Sequence, residues 1–193
     1  MTEPVPEIAP AEPRRSAVWT VLAEILQTIL IAVLLFLAVN LVTARIRVEG
    51  SSMEPSLHDG QMVVVNRLAY RWSAPSRGDI VVFYFPLDPS RRFIKRVIGL
   101  PGDSVEARDG LLYVNGMALD EPYLAAAPRY TGSWSVAPDT LFVLGDNRNN
   151  SDDSQNWGSL PMDKVIGKAV LVYWPLPDVG LIPHYSLVAA AEG

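Results

Sequence analysis

A run of apolar residues between Val18 and Val42 limits most strongly what this chain can fold into. Its central part, Ile29–Val39, contains no polar side chain. About 20 mostly apolar residues in a helix are enough to cross a bilayer, whereas a soluble helix that is apolar on every side needs a large protein around it. We therefore predict a transmembrane anchor over residues 18–44.

A cleaved signal peptide is the alternative to a retained anchor. Val42-Thr43-Ala44 has the small residues of a cleavage site, but the apolar run is long for the core of a signal peptide. We expect the anchor to be retained and to cross the membrane once. Arg14 and Arg15 precede it and Arg45 and Arg47 follow it, so the positive-inside rule does not decide its orientation.

The composition of the chain outside the anchor limits the classes of protein to which it can belong. The first 13 residues contain four prolines and three glutamates, which cannot bury a core, so residues 1–17 are predicted to be a disordered tail. Cysteine is absent, which excludes disulfides and thiolate metal sites. The net charge of −5 argues against nucleic-acid binding. We expect no cofactor and no metal, and a monomeric protein.

After the anchor the pattern changes to short strands and turns. Runs rich in β-branched and aromatic residues, bounded by Gly, Asp or Pro, are typical of strands; they are Met62–Val65, Ile80–Phe85, Leu141–Leu144 and Val165–Trp174. Asp109-Gly110 and Asn115-Gly116 flank Leu111–Val114, which predicts two consecutive hairpins. The fold class is therefore mainly β, an antiparallel domain over residues 45–180. We expect a loop over 125–139 and a C-terminal tail over 181–193.

Two adjacent serines, Ser51 and Ser52, lie in a turn directly after the anchor. Serine is a weak nucleophile until a base takes its proton. The chain has two histidines, His58 and His184, and neither lies in a pattern typical of a triad. Lys95, in a segment where apolar and charged residues alternate, is the other candidate base, provided that burial keeps it neutral near pH 7.

Four blocks in order carry a resemblance to a known family. They are GSSMEPSL at 50–57, RGDIVVF at 77–83, FIKRVIGLPGD at 93–103 and GDNRNNSDDS at 145–154. With the anchor in front, the chain resembles the bacterial type I signal peptidases over residues 18–175. The resemblance implies a membrane-bound serine endopeptidase that cleaves signal peptides from exported preproteins, with its catalytic domain on the extracytoplasmic side of the bacterial cell membrane.

The same resemblance assigns roles to particular residues. Ser52, which precedes Met53, corresponds to the nucleophile, and Lys95 corresponds to the general base. Ser151 corresponds to a serine that orients the lysine ammonium, and Asp146 and Arg148 correspond to supporting positions. Gly50 stands where many relatives have a serine that donates to the oxyanion, so the second oxyanion donor is left open.

The expected partners are signal peptides and the lipid bilayer. Signal peptides have small residues at the first and third positions before the cut, which an enzyme recognises with shallow apolar pockets beside a strand edge. We expect the residues around Ser52 and the strand Ile80–Phe85 to line this site. Two other hypotheses remain: a self-cleaving repressor-type enzyme with the same Ser/Lys chemistry, and a non-enzymatic, membrane-tethered domain that binds peptides.

Overall fold

A computed structural model describes residues 17–185 and residue 187. The predicted disordered tail lies outside these residues, apart from the backbone of Ala17. The chain forms two compact units, Met1–Leu41 and Val42–Gly193.

The first unit consists of helix α1, Ala17–Val42, whose 26 residues extend for about 39 Å. Two of its polar side chains form hydrogen bonds inside the helix. The Thr28 hydroxyl donates to the Glu24 carbonyl oxygen at 2.8 Å, and the Asn40 side-chain amide donates to the Phe36 carbonyl oxygen at 2.8 Å. Hydrocarbon offers no alternative partners for such groups, so the helix has the length and the internal hydrogen bonding of a membrane-spanning segment.

Within the described residues, the second unit is built from twelve strands, one short α-helix and two 3₁₀ helices, Met162–Lys164 and Leu176–Asp178. The strands are β1 (Thr43–Arg47), β2 (Met62–Asn66), β3 (Ile80–Phe85), β4 (Asp88–Gly99), β5 (Ser104–Arg108), β6 (Leu111–Val114), β7 (Met117–Ala118), β8 (Gly132–Ser135), β9 (Thr140–Leu144), β10 (Leu160–Pro161), β11 (Val165–Trp174) and β12 (Gly180–Leu181). Helix α2 is Ser154–Trp157.

The strands form two antiparallel sheets. The larger has 8 strands in the order β1-β2-β11-β3-β4-β9-β10, with β12 paired to β11. The smaller has 4 strands in the order β7-β6-β5-β8 and contains the two predicted hairpins. Asn115 and Asp109 adopt positive φ angles of 54° in those hairpin turns, as two-residue hairpin turns require. The predicted fold class, mainly antiparallel β after one apolar helix, is confirmed.

The core of the larger sheet also holds the turn that follows β1. Met53 and Leu57, which are 0% and 1% exposed, pack in the same apolar cluster as Val63 and Val65 of β2. The Leu57 N–H donates to the Met53 carbonyl oxygen at 2.9 Å, which closes a single turn. Ser52 is therefore the direct neighbour in the chain of Met53, whose side chain is buried in the core.

Two boundaries differ from the sequence prediction. The predicted loop at 125–139 contains β8, because Trp134 pairs with Val105 of β5 and its ring packs 5.1 Å from that of Phe142. The segment after residue 180 belongs partly to the domain, because Ile182 and Leu187 are buried. Apolar contacts with distant strands decide both boundaries, and local composition does not record such contacts.

Candidate active site

Ser52 lies in the turn between β1 and β2, and backbone contacts from a distant loop hold it there. The backbone N–H of Asn147 donates to the Ser52 carbonyl oxygen at 3.0 Å. The Asn147 side chain donates to the Ser51 carbonyl oxygen at 3.1 Å, and the Asn150 side chain donates to the Ser51 hydroxyl at 3.0 Å. The loop after β9 thus fixes both serines from one side.

Gly145 allows this close approach. A Cβ atom at position 145 would overlap the Ser52 carbonyl oxygen and the Ser151 hydroxyl, and it would lie 2.7 Å from the Ser151 Cβ. Real Cβ atoms do not make contacts this short, so the loop reaches Ser52 only because residue 145 has no side chain. This packing brings Ser52 of the first sequence block and Ser151 of the fourth close to the same glycine.

Lys95 and Arg96 point to opposite faces of β4, as the strand period of two requires. The Lys95 ammonium nitrogen lies 2.7 Å from the Ser52 hydroxyl oxygen. Lys95 is 4% exposed, and its nitrogen lies 5.3 Å from the centre of the Phe93 ring. A serine hydroxyl and a desolvated amine are therefore in direct hydrogen-bond contact.

Burial changes the proton affinity of Lys95. Desolvation lowers the pKa of Lys95 from 10.5 to about 8, against the opposing effect of the carboxylates of Asp153, Asp152 and Asp146. At pH 7 about a tenth of the lysine is then neutral, roughly 300 times the fraction expected for a solvated lysine. The side chain can accept a proton near neutral pH, which the general-base assignment requires.

Arg96 makes a buried ion pair behind the site. Its guanidinium binds both carboxylate oxygens of Asp146, at 2.8 and 2.6 Å, and both side chains are 0% exposed. It also donates to the Gly78 carbonyl oxygen and stacks 4.0 Å from the centre of the Tyr123 ring. Asp146 begins the loop that carries Asn147, so this pair connects the lysine-bearing strand to the loop that holds Ser52.

Arg148 makes a second buried ion pair in the same loop. Its guanidinium binds the two carboxylate oxygens of Glu121, each at 2.7 Å, and donates to the Tyr123 hydroxyl at 3.1 Å. Burial is the largest single effect and lowers the pKa of Arg148. The charge of the Glu121 carboxylate and its hydrogen bonds together outweigh burial, so the pKa is raised. Arg148 is thus a structural cation that joins this loop to the segment before β8.

Ser151 is close to the dyad but is not hydrogen-bonded to Lys95. Its buried hydroxyl makes no hydrogen bond to any described residue. Burial raises the pKa of the Asp153 carboxyl, against the opposing effect of the hydrogen bonds that it accepts from the Gly145 and Gln155 N–H groups. Asp153 accepts from the Gly145 N–H at 3.0 Å and forms no ion pair within the described chain.

The two histidines take no part in this arrangement. His58 is exposed and lies 4.0 Å from the Glu54 carboxylate. A ring nitrogen of His184 lies 2.9 Å from the Ala169 carbonyl oxygen, and the other accepts from the Ile80 N–H. Among the residues that the structure describes, no group of three His, Asp or Glu side chains is arranged to hold a metal ion.

The serine and the lysine open into a cleft of about 530 Å³ between β1 and β4. Its lining includes Ser52, Lys95, Phe93 and Ile94, together with exposed charged side chains from both strands. The strand Ile80–Phe85, which we predicted as lining, does not border the cleft. It pairs with β4 on one side and β11 on the other, so neither of its edges is available.

Comparison with known proteins decides the family. The family model described as signal peptidase, peptidase S26, matches residues 22–174. The chain belongs to this signal peptidase family. It is 44% identical over 177 residues to a probable signal peptidase I-2 of Synechocystis sp., which covers 88% of this chain and 81% of that protein. It is 38% identical over 197 residues to signal peptidase I of Leptolyngbya laminosa, which covers 94% and 97% respectively.

A crystal structure of a signal peptidase I from Enterococcus faecalis superposes with a TM-score of 0.47 at 37% identity, covering 50% of this chain and 97% of that one. The resemblance stated from the four sequence blocks is confirmed by the family match. Membership of the signal peptidase family, together with the apolar helix α1, indicates a membrane-anchored protein.

The structure brings together most of the residues predicted for this signal peptidase site. Ser52 and Lys95 are in contact, and Asp146 lies behind Lys95 in the pair with Arg96. Asn147, Asn150 and Gly145 were not predicted as site residues, although all three belong to the fourth block. A turn-forming motif gives no sign that its backbone touches a residue almost a hundred positions away.

Replacing Gly145 with alanine tests the close approach. The new Cβ must displace the Ser52 carbonyl or the Ser151 side chain, and misplacement of a reacting group by about 1 Å costs on the order of 100-fold. We expect kcat/KM for a signal-peptide substrate to fall by about 10- to 100-fold. The matched control is Gly180→Ala, whose Cβ meets its nearest atom at an ordinary 3.9 Å. Equal activity of both variants would contradict the packing described here.

Proposed function

We propose that this chain is a membrane-anchored serine endopeptidase that removes N-terminal signal peptides from exported preproteins, with Ser52 as nucleophile and Lys95 as general base. The observation that carries the proposal is the 2.7 Å contact between the Ser52 hydroxyl and an amine that is 4% exposed. The relatives named signal peptidase I support the choice of substrate.

The proposed reaction uses the dyad twice. Neutral Lys95 accepts the Ser52 proton while the serine oxygen attacks the scissile carbonyl, and the resulting ammonium returns that proton to the leaving amine of the mature protein. Neutral Lys95 then takes a proton from a water molecule, which hydrolyses the acyl-enzyme. We assign the Ser52 backbone N–H as one donor to the oxyanion. Gly50 offers no side-chain donor.

We assign Ser151, Asp146 and Arg148 supporting roles. Asp146 and Arg148 hold the loop after β9 through their buried ion pairs. The Ser151 hydroxyl is buried and has no hydrogen-bond partner in the described structure, and we propose that it orients the ammonium when Lys95 is charged. We further propose that the anchor spans residues 18–44 and that the catalytic domain acts outside the cytoplasm, where exported preproteins present their cleavage sites.

Incubation of the full chain, purified in detergent, with a preprotein carrying an Ala-x-Ala cleavage site tests the function. Mass spectrometry of the product is expected to show a mature N-terminus directly after the second alanine. Self-cleavage without any action on the preprotein would favour a repressor-type protease. Failure of a serine-directed acylating inhibitor to label Ser52, together with no cleavage, would favour a peptide-binding domain without enzymatic activity.

The pH dependence of kcat/KM reports the protonation of Lys95. Only the neutral amine is active as a base, and burial lowers its pKa to about 8. Activity is therefore expected to rise with pH and to reach half of its maximum near pH 8. Asp152→Asn removes a carboxylate that favours the ammonium form, so it should move this rise to lower pH. A half-maximum near that of a solvated lysine would contradict the assignment.

A further inference from the structure

The active-site cleft carries a concentration of positive charge at the end away from the dyad. Arg45 and Arg47 line it from β1, and Arg91 and Arg92 line it from β4. All four side chains are exposed, and none forms a salt bridge with any residue in the described ranges. Four unpaired arginines around one cleft form a ready binding site for an anionic group.

Acidic residues line the catalytic end of the same cleft. Glu49, three positions before Ser52, and Asp152, whose carboxylate acts on Lys95, both belong to the lining. The electrostatic potential therefore changes sign along the cleft. A charged side chain of a bound peptide is therefore favoured at some positions along the cleft and disfavoured at others.

Arg91 is held in place by aromatic rings. Its guanidinium lies 5.0 Å from the centre of the Phe93 ring and 5.6 Å from that of Phe85, and the two rings stack 4.5 Å apart. Such cation–π contacts reduce the freedom of the side chain before any ligand arrives. Phe93 and Lys95 alternate along β4 and so face the same side, and the contact with the Phe93 ring places Arg91 on that side too. Arg91 lies in an irregular part of β4, where the pairing with β3 shifts, so its distance from Lys95 along the strand is at most about 13 Å.

Both strands beside the cleft have a free edge in the described structure. β1 pairs only with β2, and β4 pairs with β9 only from Arg96 to Gly99. The edge of β4 from Ser90 to Lys95 is therefore open to a substrate strand, which would bind by β-augmentation. In a strand aligned with β4, the residue beside Lys95 and the residue four positions away, beside Arg91, point in the same direction.

The direction of the substrate follows from which part of the β4 edge is open. β9 pairs with β4 from Arg96 to Gly99, so the open edge extends from Lys95 only toward Arg91. A signal peptidase recognises the residues before the cut. These residues therefore lie along the open edge, between the arginines and the dyad.

We propose that the basic end of the cleft, centred on Arg91, selects preproteins with an acidic side chain at the fifth residue before the cut. This inference rests on the proposed function, because it concerns the substrate of the same dyad. The fifth residue shares its side-chain direction with the small first and third residues, so an acid there points to the side of β4 on which Arg91 lies.

Three soluble peptides test the proposal. They share an Ala-Gln-Ala sequence before the cut and carry Glu, Gln or Lys at the fifth residue. With the full chain in a neutral detergent, we expect kcat/KM to be about threefold higher for the Glu peptide than for the Gln peptide, and lower again for the Lys peptide, as for partly exposed ion pairs. The differences should shrink at high salt, because exposed charges are screened.

Arg91→Glu is expected to reverse this order, so that the Lys peptide becomes the best of the three. The matched control is Arg108→Glu. Arg108 is also exposed and stacked on an aromatic ring, 3.7 Å from the centre of Tyr113, but it does not line the cleft. The Arg108→Glu variant should keep the wild-type order of the three peptides.

The outcomes separate this inference from the proposed function. If no peptide is cleaved, the proposed function fails. If all three are cleaved at equal rates, the endopeptidase assignment stands and the charge preference is overturned. The preference is also overturned if the cleavage rates do not depend on peptide charge but rise with the fraction of phosphatidylglycerol in phosphatidylcholine vesicles. In that case the arginines bind lipid headgroups.

Discussion

Ser52→Ala and Lys95→Met are each expected to reduce signal-peptide cleavage by roughly four orders of magnitude or more, because nucleophile and base act as a unit. The two atoms that react first, the Ser52 hydroxyl oxygen and the Lys95 nitrogen, are already 2.7 Å apart. The measurement is kcat/KM for a preprotein with the full chain in detergent. Full activity of a Lys95→Ala variant would eliminate the mechanism.

The stability of these variants distinguishes loss of chemistry from loss of folding. The folded-state pKa of Lys95 is lowered from 10.5 to about 8, so burying the ammonium costs up to about 3 kcal/mol at pH values below 8. This cost disappears as the pH rises from 8 to 10.5, because the unfolded chain then loses the same proton.

Lys95→Met should therefore unfold at a higher temperature than the unmodified chain at pH 7, and the difference should shrink above pH 8. Ser52→Ala keeps the lysine and serves as the control, with no comparable stabilisation. An inactive Lys95→Met variant that is also less stable at pH 7 would show that the amine is not desolvated in the way described.

Asp146→Ala is expected to lower the free energy of unfolding of the catalytic unit by about 3–5 kcal/mol, because it leaves the buried Arg96 guanidinium without its carboxylate. The Arg96–Asp146 pair is 0% exposed on both sides. Chemical unfolding of the full chain in detergent measures the effect. Cleavage should fall as well, since this pair joins the strand of Lys95 to the loop that holds Ser52.

An exposed pair supplies the control. Asp163 lies 3.9 Å from Lys164, and the two side chains are 75% and 38% exposed. Asp163→Ala should change stability by less than about 0.5 kcal/mol, because water replaces the lost contact. A double replacement, Arg96→Met with Asp146→Leu, should recover much of the stability lost by the single variant. A loss in Asp146→Ala no larger than in Asp163→Ala would contradict the buried pairing.

Local patterns predicted the strands of the catalytic unit closely. Ile80–Phe85 and Val165–Trp174 form strands with the predicted bounds. Both are rich in β-branched and aromatic residues and lie between turn residues, so local propensity alone favours a strand at each. Gly132–Ser135 was missed because its strand pairing depends on Trp134 reaching Phe142, a contact between segments that the local pattern treats as unrelated.

The site residues divide in the same way. Ser52 and Lys95 were predicted because the motifs that carry them are short and contiguous, and because period-two alternation separates Lys95 from Arg96 along β4. The partners that hold Ser52, namely Asn147, Asn150 and Gly145, were not predicted as such. The strand chosen to line the cleft was wrong, because its own pattern does not show that β4 and β11 occupy both of its edges.

From its sequence the chain was predicted to have an apolar anchor and a β-rich unit, since both depend on residues close together along the chain. The serine–lysine pair, whose members are 43 residues apart, was predicted from the resemblance of its sequence blocks to the signal peptidases. The tertiary structure alone decides the burial of Lys95, the fit of Gly145 against Ser52 and the arginine-lined end of the cleft. The reason is physical: desolvation, close packing and electrostatic potential depend on which atoms surround a group in space, and those atoms come from strands and loops far apart in the chain.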